Sequence, residues 1–157
     1  MMLQIRLFGS GQLRTAAGQV VNVRARKELA ALAYLLLEGR QPQSREVLQA
    51  LLWADFATES ARNNLRVALA HLQVLISPAE NADASTRAAK LFHTSRTDVQ
   101  LNPDAPLWVD VTVFLALLAE TQRHDHAGRS GCARCCQTLQ TAVGLYEAEF
   151  LAGFALA

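Results

Sequence analysis

Apolar and polar residues follow two different periods along the chain, and the change of period divides it into segments. Leu3, Ile5 and Leu7 alternate with polar residues, as expected for a half-buried strand. Glycine-containing turns then precede further short strands at about 12–14 and 20–23. The N-terminal segment is therefore predicted to be a small antiparallel β-meander.

Beyond this segment, apolar residues recur at the 3.6-residue period, which predicts three helices. The first covers 26–38, with Gly39 placed to end it. The second runs from about 45 to 52, with Ser44 as its N-cap. The third runs from about 58 to 76, after a turn in which we expect Trp53 and Phe56 to be the anchors.

The third predicted helix has one apolar and one polar face, and the polar face contains no carboxylate after Glu59. Such a face fits the major groove of DNA, because Arg can bond guanine or phosphate and Asn or Gln can pair with adenine. The alternative is an ordinary solvent-exposed face of a helical core. The polar residues are Arg62, Asn63, Asn64, Arg66, His71 and Gln73.

Basic residues gather at two further places. Residues 88–101 are expected to form two strands around a tight turn, with Lys90, Arg96 and Arg87 giving this hairpin a basic tip. Arg24, Arg26 and Lys27 lie at the start of the first helix, where cations oppose the helix dipole. Contact with phosphates would offset that cost; the alternative is simple solvation.

Two prolines at 102–106 interrupt the pattern, and we place a domain boundary there. Asp110 is expected to cap a helix from about 111 to 123, and a last helix is expected over about 132–150. Two such helices cannot bury their apolar faces alone, so they are interpreted as the opening pair of a truncated helical repeat array. The apolar stripe predicted for the last helix is Cys132, Cys136, Leu139, Val143 and Tyr146.

Composition and charge narrow the class of protein. Apolar residues make up 51% of the 157 residues, mostly Leu, Ala and Val, which favours helices. Residues 1–105 carry 12 Lys and Arg against 9 Asp and Glu, whereas residues 106–157 carry 3 against 5. There is no membrane-length apolar run and no secretory leader, and three cysteines within five residues do not resemble a disulfide framework. A reducing, cytoplasmic location is expected.

A cluster of histidines and cysteines is the one candidate metal site. His124, His126, Cys132 and Cys135 offer two imidazoles and two thiolates, the donor set of tetrahedral zinc. A zinc ion there would fix the loop to the start of the last helix. Alternatively, Cys132 and Cys136 are small core residues. A catalytic thiol is disfavoured, since no acid–base partner other than these histidines is evident.

Several segments together resemble one family of bacterial regulators. Five segments, ARKELAALAYLLLEG (25–39), SREVLQALLWADF (44–56), ARNNLRVALAHLQVLI (61–76), LWVDVTVF (107–114) and AVGLYEAEFLAGF (142–154), carry the resemblance together with the order of the predicted elements. They resemble an OmpR-type winged helix–turn–helix followed by a bacterial transcriptional activator domain, as in SARP-type (antibiotic-regulatory-protein-like) regulators. The resemblance implies an α+β fold: a β-meander and three-helix winged helix–turn–helix over 1–105, then an all-α, tetratricopeptide-like hairpin over 106–157.

The same resemblance implies a function. Helix 58–76 would be the recognition helix, and hairpin 88–101 would be the wing that contacts the DNA backbone. Members of the family typically bind promoter direct repeats in double-stranded DNA as side-by-side dimers and contact RNA polymerase, and their helical domain mediates protein contacts. The exposed face that would contact DNA maps to Asn63, Arg66, Val67, Ala70, Gln73 and Val74, with Arg62 and Asn64 in a secondary role.

Three classes of function remain to be compared. DNA-binding transcriptional regulation leads. A protein-interaction module that has lost strong DNA binding is the alternative, because the basic excess is thin. An enzyme ranks last, since the sequence contains no phosphate loop, nucleophile elbow or paired carboxylates.

Overall fold

The computed structural model divides the chain into two compact units. The central unit comprises residues 21–106 with the residues from 155 onward, and the flanking unit comprises residues 2–20 and 107–154. The residues that the structure describes are 3–14, 18–21, 23, 25–38, 40–76, 90–125 and 131–155.

Three helices of the central unit have the bounds that the periodicity predicts: α1 (Arg26–Glu38), α2 (Arg45–Leu52) and α3 (Thr58–Ile76). Their apolar stripes face one another. Burial of each large aliphatic side chain contributes about 1.5–3 kcal/mol. The core of this unit is therefore made mainly by residues of the 3.6-residue pattern, together with Leu91 and Val99, which lie outside the helices. The largest of its fully buried side chains are Leu32, Leu35, Leu48, Leu65, Leu72, Leu91 and Val99.

The turn between α2 and α3 has one buried anchor rather than two. Trp53 is buried, as predicted. The expectation for Phe56 is wrong, because its side chain is 49% exposed. The ammonium group of Lys27 lies 5.0 Å from the centre of the Phe56 ring, so that ring meets a cation instead of the core.

A three-stranded antiparallel sheet completes the central unit. The predicted hairpin is present as β5 (Phe92–Thr94) and β6 (Asp98–Leu101); its expected first residues, 88–89, and Arg87 lie outside the described residues. A two-residue strand, β4 (Gln43–Ser44), pairs with β6 and gives the order β4-β6-β5. The sequence did not predict β4, because two residues are too few to show a period.

The turn of the hairpin also provides a hydrogen-bond acceptor for the first residue of α2. Ser44 stands at the N-cap position, as predicted, but its side chain makes no capping bond. Instead the backbone N–H of Arg45 donates to the carbonyl of Thr97 at 2.8 Å. One of the unpaired amides that every helix N-terminus presents is thus satisfied by the turn of the hairpin.

The flanking unit is built on a four-stranded sheet, whose strands lie side by side in the order β3 (Val20–Val21), β2 (Gln12–Arg14), β1 (Leu3–Arg6) and β7 (Leu107–Val109). Strand β1 pairs antiparallel with β2, as the meander predicts, and β3 does not include Val23. On its other side β1 pairs in parallel with β7. This pairing groups residues 2–20 with 107–154, whereas the sequence pattern predicts one domain over 1–105 and a second over 106–157; that division stays a prediction.

A buried carboxylate fastens the end of β1 to the next helix, α4 (Asp110–Arg123). Asp110 is only 2% exposed, and its two carboxylate oxygens accept bonds from the amides of Leu7 at 2.9 Å and Phe8 at 3.0 Å. The helix begins at Asp110 itself, with Val109 at the N-cap position. The Asp110 carboxylate also accepts a bond from the amide of Val111 at 2.7 Å, so it satisfies a first-turn amide of the helix, as a capping residue does, in addition to linking strand and helix.

The last helix, α5 (Ala133–Leu145), is shorter than the predicted 132–150. It also buries a different face from the one that the sequence predicts. Cys135 and Ala142 are its buried side chains, whereas Cys136 is exposed and Val143 is 68% exposed. The predicted stripe is therefore wrong as the packing face: α5 packs against α4 through small side chains. The chain leaves the helix at Tyr146, whose ring packs on Phe8 with centroids 5.0 Å apart.

Within the described ranges, no helix has the length and apolar character needed to span a membrane.

Candidate nucleic-acid interface and a cysteine–histidine cluster

Helix α3 presents a polar face on the side opposite its buried stripe. Arg62, Asn63, Arg66 and Ala70 are exposed, at spacings that follow the helical period. The guanidinium of Arg66 donates to the side-chain oxygen of Asn63 at 2.9 Å, a contact one turn apart on the helix surface. Residues Asn64, Val67 and Gln73 are half-buried. The outer face thus carries two arginines and one ordered Arg–Asn pair.

The charge of this face is of one sign along most of its length. The acidic residue of α3 is Glu59, in the first turn. His71 is held elsewhere: its Nδ1 lies 2.9 Å from Oε1 of Glu28, a buried residue in the first turn of α1. His71 therefore belongs to a contact between two helices. The remaining cations favour an anionic partner.

Gln73 takes part in the fold, which its sequence position did not reveal. Its side-chain oxygen accepts a bond from the backbone N–H of Leu91 at 2.8 Å. Leu91 directly precedes strand β5 and is buried. Gln73 thus ties the end of α3 to the base of the hairpin.

The hairpin carries its basic residue at the tip. Arg96 is exposed in the turn between β5 and β6, as predicted, whereas the prediction for Lys90 is wrong: it is exposed before β5, at the base of the hairpin and not at its tip. The hydroxyl oxygen of Ser95 accepts bonds from the amides of Thr97 at 3.2 Å and Asp98 at 2.9 Å. The turn that displays Arg96 is therefore fixed by its own hydrogen bonds.

The basic residues before and within α1 differ in their surroundings. Arg26 is exposed, with a 3.5 Å contact from its guanidinium to the carbonyl of Ala155. Lys27 lies over the ring of Phe56. Arg24 lies outside the described residues.

In the flanking unit, three of the four predicted metal ligands come together. His124 follows the last turn of α4, Cys132 stands at the N-cap of α5, and Cys135 is buried in its first turn. The Nδ1 atom of His124 lies 3.3 Å from the sulfur of Cys135 and 3.6 Å from the sulfur of Cys132. All three donor atoms lie within 4.8 Å of one another. His126 lies outside the described residues.

The two thiols of this cluster have different environments. The backbone amide of Cys135 donates to the sulfur of Cys132 and lowers the pKa of Cys132. Burial raises the pKa of Cys135. The thiol at the helix N-terminus is therefore the readier of the two to become a thiolate.

No protein-family model and no curated protein matches this chain. A solved structure of EmbR from Mycobacterium tuberculosis, in complex with a low-affinity phosphopeptide, has a similar fold, with a TM-score of 0.74 and 23% identity. The similarity covers 95% of this chain and 37% of the EmbR chain, so this chain spans little more than a third of EmbR's length. The mixed α+β architecture, with two sheets and five helices among the described residues, is thus one that a known protein shares.

Proposed function

We propose that the chain is a DNA-binding transcriptional regulator of the SARP type. The observation that carries the proposal is the outer face of α3, which displays Arg62, Asn63 and Arg66 and has no carboxylate after Glu59. The shared fold with EmbR, a SARP-family regulator, supports the same class.

In this proposal α3 lies in the major groove. An α-helix with its side chains is about 10–12 Å in diameter and the major groove is about 12 Å wide, so α3 fits the groove with one face against the base edges. Arg66 is the leading candidate to read a base, since arginine can bond two acceptors of guanine at once. Its bond to Asn63 orders both side chains before DNA arrives. Arg62, Asn64, Val67 and Ala70 complete the proposed contact face.

The hairpin β5–β6 acts as the wing and contacts the DNA backbone. Arg96 at the tip and Lys90 at the base are exposed cations that can neutralise phosphates. Arg26 is proposed for the same role on α1. Gln73 is assigned a different role from the one that the sequence predicts, because its oxygen already accepts the amide of Leu91: it positions the wing relative to α3.

RNA polymerase is the proposed protein partner, alongside a second copy of the chain on direct repeats. Val47 and Leu51 lie one turn apart on α2, and each is about half exposed. Exposed apolar side chains at this spacing suit contact with another protein. Substituting both by Ser should lower activation in a reconstituted transcription assay and leave DNA affinity unchanged; unchanged activation would contradict this contact.

The proposal is tested by selecting DNA from a pool of genomic promoter fragments and measuring the affinity by fluorescence anisotropy over a salt series. Arg66→Ala is expected to weaken binding to the selected site by about 1–3 kcal/mol if Arg66 reads a base. Lys90→Ala and Arg96→Ala should weaken binding to all sequences alike and lower the salt slope by about 1 each.

The matched control is Arg123→Ala, which removes an exposed cation from α4 and should leave the affinity unchanged. Equal affinities for Arg66→Ala and the parent protein would reject the assignment of Arg66. Absence of DNA binding even at low salt would reject the function as a whole and favour a protein-docking role.

A further inference from the structure

We propose that His124, Cys132 and Cys135 bind a zinc ion that joins the end of α4 to the start of α5. The three residues come from the two ends of one helix–helix connection, and their donor atoms converge on one point. The site lies wholly in the flanking unit and is independent of the proposed contact with DNA.

The distances between the donor atoms fit a tetrahedral ion. With Zn–S and Zn–N bonds of about 2.3 and 2.05 Å, a tetrahedral site places each sulfur about 3.6 Å from the nitrogen. The structure gives 3.6 Å for Cys132 and 3.3 Å for Cys135, both measured to Nδ1 of His124. The side chains therefore need only small adjustments to bind.

Hydrogen bonds to the one nitrogen atom of His124 can satisfy only one of the two sulfurs fully. A ring nitrogen of histidine offers either one proton or one lone pair, so Nδ1 cannot bond both sulfurs equally well. Two sulfurs nevertheless approach the same nitrogen. A cation between the three atoms satisfies all of them at once.

The chemistry of the donors selects the metal. Thiolates are soft ligands that Mg²⁺ and Ca²⁺ avoid, whereas zinc binds thiolate and imidazole together. Two thiolates and a neutral imidazole carry a charge that balances Zn²⁺. The spacing Cys132-x-x-Cys135 at a helix N-terminus directs both sulfurs to the same side.

A second contact joins the same two helices near the cluster. Arg134, which lies between Cys132 and Cys135 in the sequence, donates to a carboxylate oxygen of Glu120 on α4 at 2.9 Å. Both partners are exposed, so this ion pair adds little stability by itself. An ion bound by three residues would supply the stronger link.

The test is the zinc content of the full chain, purified under reducing conditions and measured by elemental mass spectrometry after dialysis. About one zinc ion per chain is expected for the parent protein. Cys132→Ser, Cys135→Ser and His124→Ala should each reduce the zinc to background. Cys136→Ser is the matched control, because Cys136 is adjacent but exposed, and its zinc content should equal that of the parent.

Cobalt gives a second readout that does not depend on copurified metal. Adding Co²⁺ to the metal-free chain should produce sulfur-to-cobalt charge-transfer bands, which Cys136→Ser retains and Cys132→Ser weakens. Circular dichroism of each variant shows whether it folds; if Cys135→Ser unfolds because Cys135 is buried, Cys132→Ser and His124→Ala still decide the outcome.

Three results would overturn the proposal. The first is a reduced parent protein that holds no more zinc or cobalt than the Cys132→Ser variant. The second is equal loss of metal in Cys136→Ser, which would show a different set of ligands. The third is a Cys132–Cys135 disulfide that survives purification under reducing conditions and excludes metal, which would make the pair a structural disulfide.

Discussion

Helices α3 and α5 both show an apolar stripe in the sequence, yet the structure uses the two stripes differently. The stripe of α3 is buried: Leu65 and Leu72 lie in the core. The stripe predicted for α5 is exposed at Cys136, Leu139 and Val143, and the helix packs through Cys135 and Ala142. The comparison shows that periodicity detects a helix, whereas the neighbouring elements decide which face they cover.

The largest expected effect comes from truncating the two stripes in parallel. Leu65→Ala should reduce the free energy of unfolding by about 2–5 kcal/mol, because it leaves a cavity in the core. Val143→Ala should change it by less than about 0.5 kcal/mol, because this side chain is largely exposed. Chemical denaturation followed by circular dichroism measures both. A comparable loss for Val143→Ala would mean that another surface covers the stripe of α5 in solution.

In the flanking unit, where α5 does not bury its predicted apolar stripe, a buried carboxylate joins the end of β1 to the start of α4. Asp110→Ala removes the acceptor of the Leu7 and Phe8 amides, and leaving buried donors unpaired should cost about 1–3 kcal/mol. The same denaturation experiment measures this loss. Asp104→Ala, which removes an exposed carboxylate of the central unit, is the control and should be nearly neutral. Equal stability of the Asp110→Ala variant and the parent would show that the strand is held by its pairing with β7 and β2 alone.

The smallest expected effect concerns Gln73, a polar residue of α3 whose side chain bonds to the backbone of Leu91. Gln73→Ala should cost about 1 kcal/mol of stability, the usual contribution of one hydrogen bond. If Gln73 positions the wing, the variant should weaken DNA binding to all sequences by a similar factor. A loss confined to one base position of the selected site would instead restore the base-reading role that the sequence predicts.

The sequence was sufficient for the elements whose residues repeat at a clear period. The bounds of α1, α2 and α3 agree with the structure because each has its stripe and its start or stop residues within a few positions. The parallel pairing of β1 with β7 was not predictable, because its partners are about a hundred residues apart and no turn joins them. The two-residue strand β4 is too short to show alternation.

The candidate sites divide in the same way. The exposure of Arg62, Asn63 and Arg66 follows from their position opposite the stripe, and the convergence of Cys132 and Cys135 follows from helical spacing. The sequence position of a polar side chain did not reveal whether it bonds to another element of the fold. The partners of His71 and Gln73 are Glu28 and Leu91, which reach them only through tertiary packing.

The parallel pair of β1 and β7 also governs how the protein is made and cut. A ribosome completes residues 3–6 long before residues 107–109. Strand β1 therefore cannot pair with β7 until the central unit has been synthesised. A fragment that stops at 105 would leave β1 as an open edge with unpaired amides, and open edges recruit other strands. Expression of residues 1–105 alone is therefore expected to promote aggregation through the edge of β1.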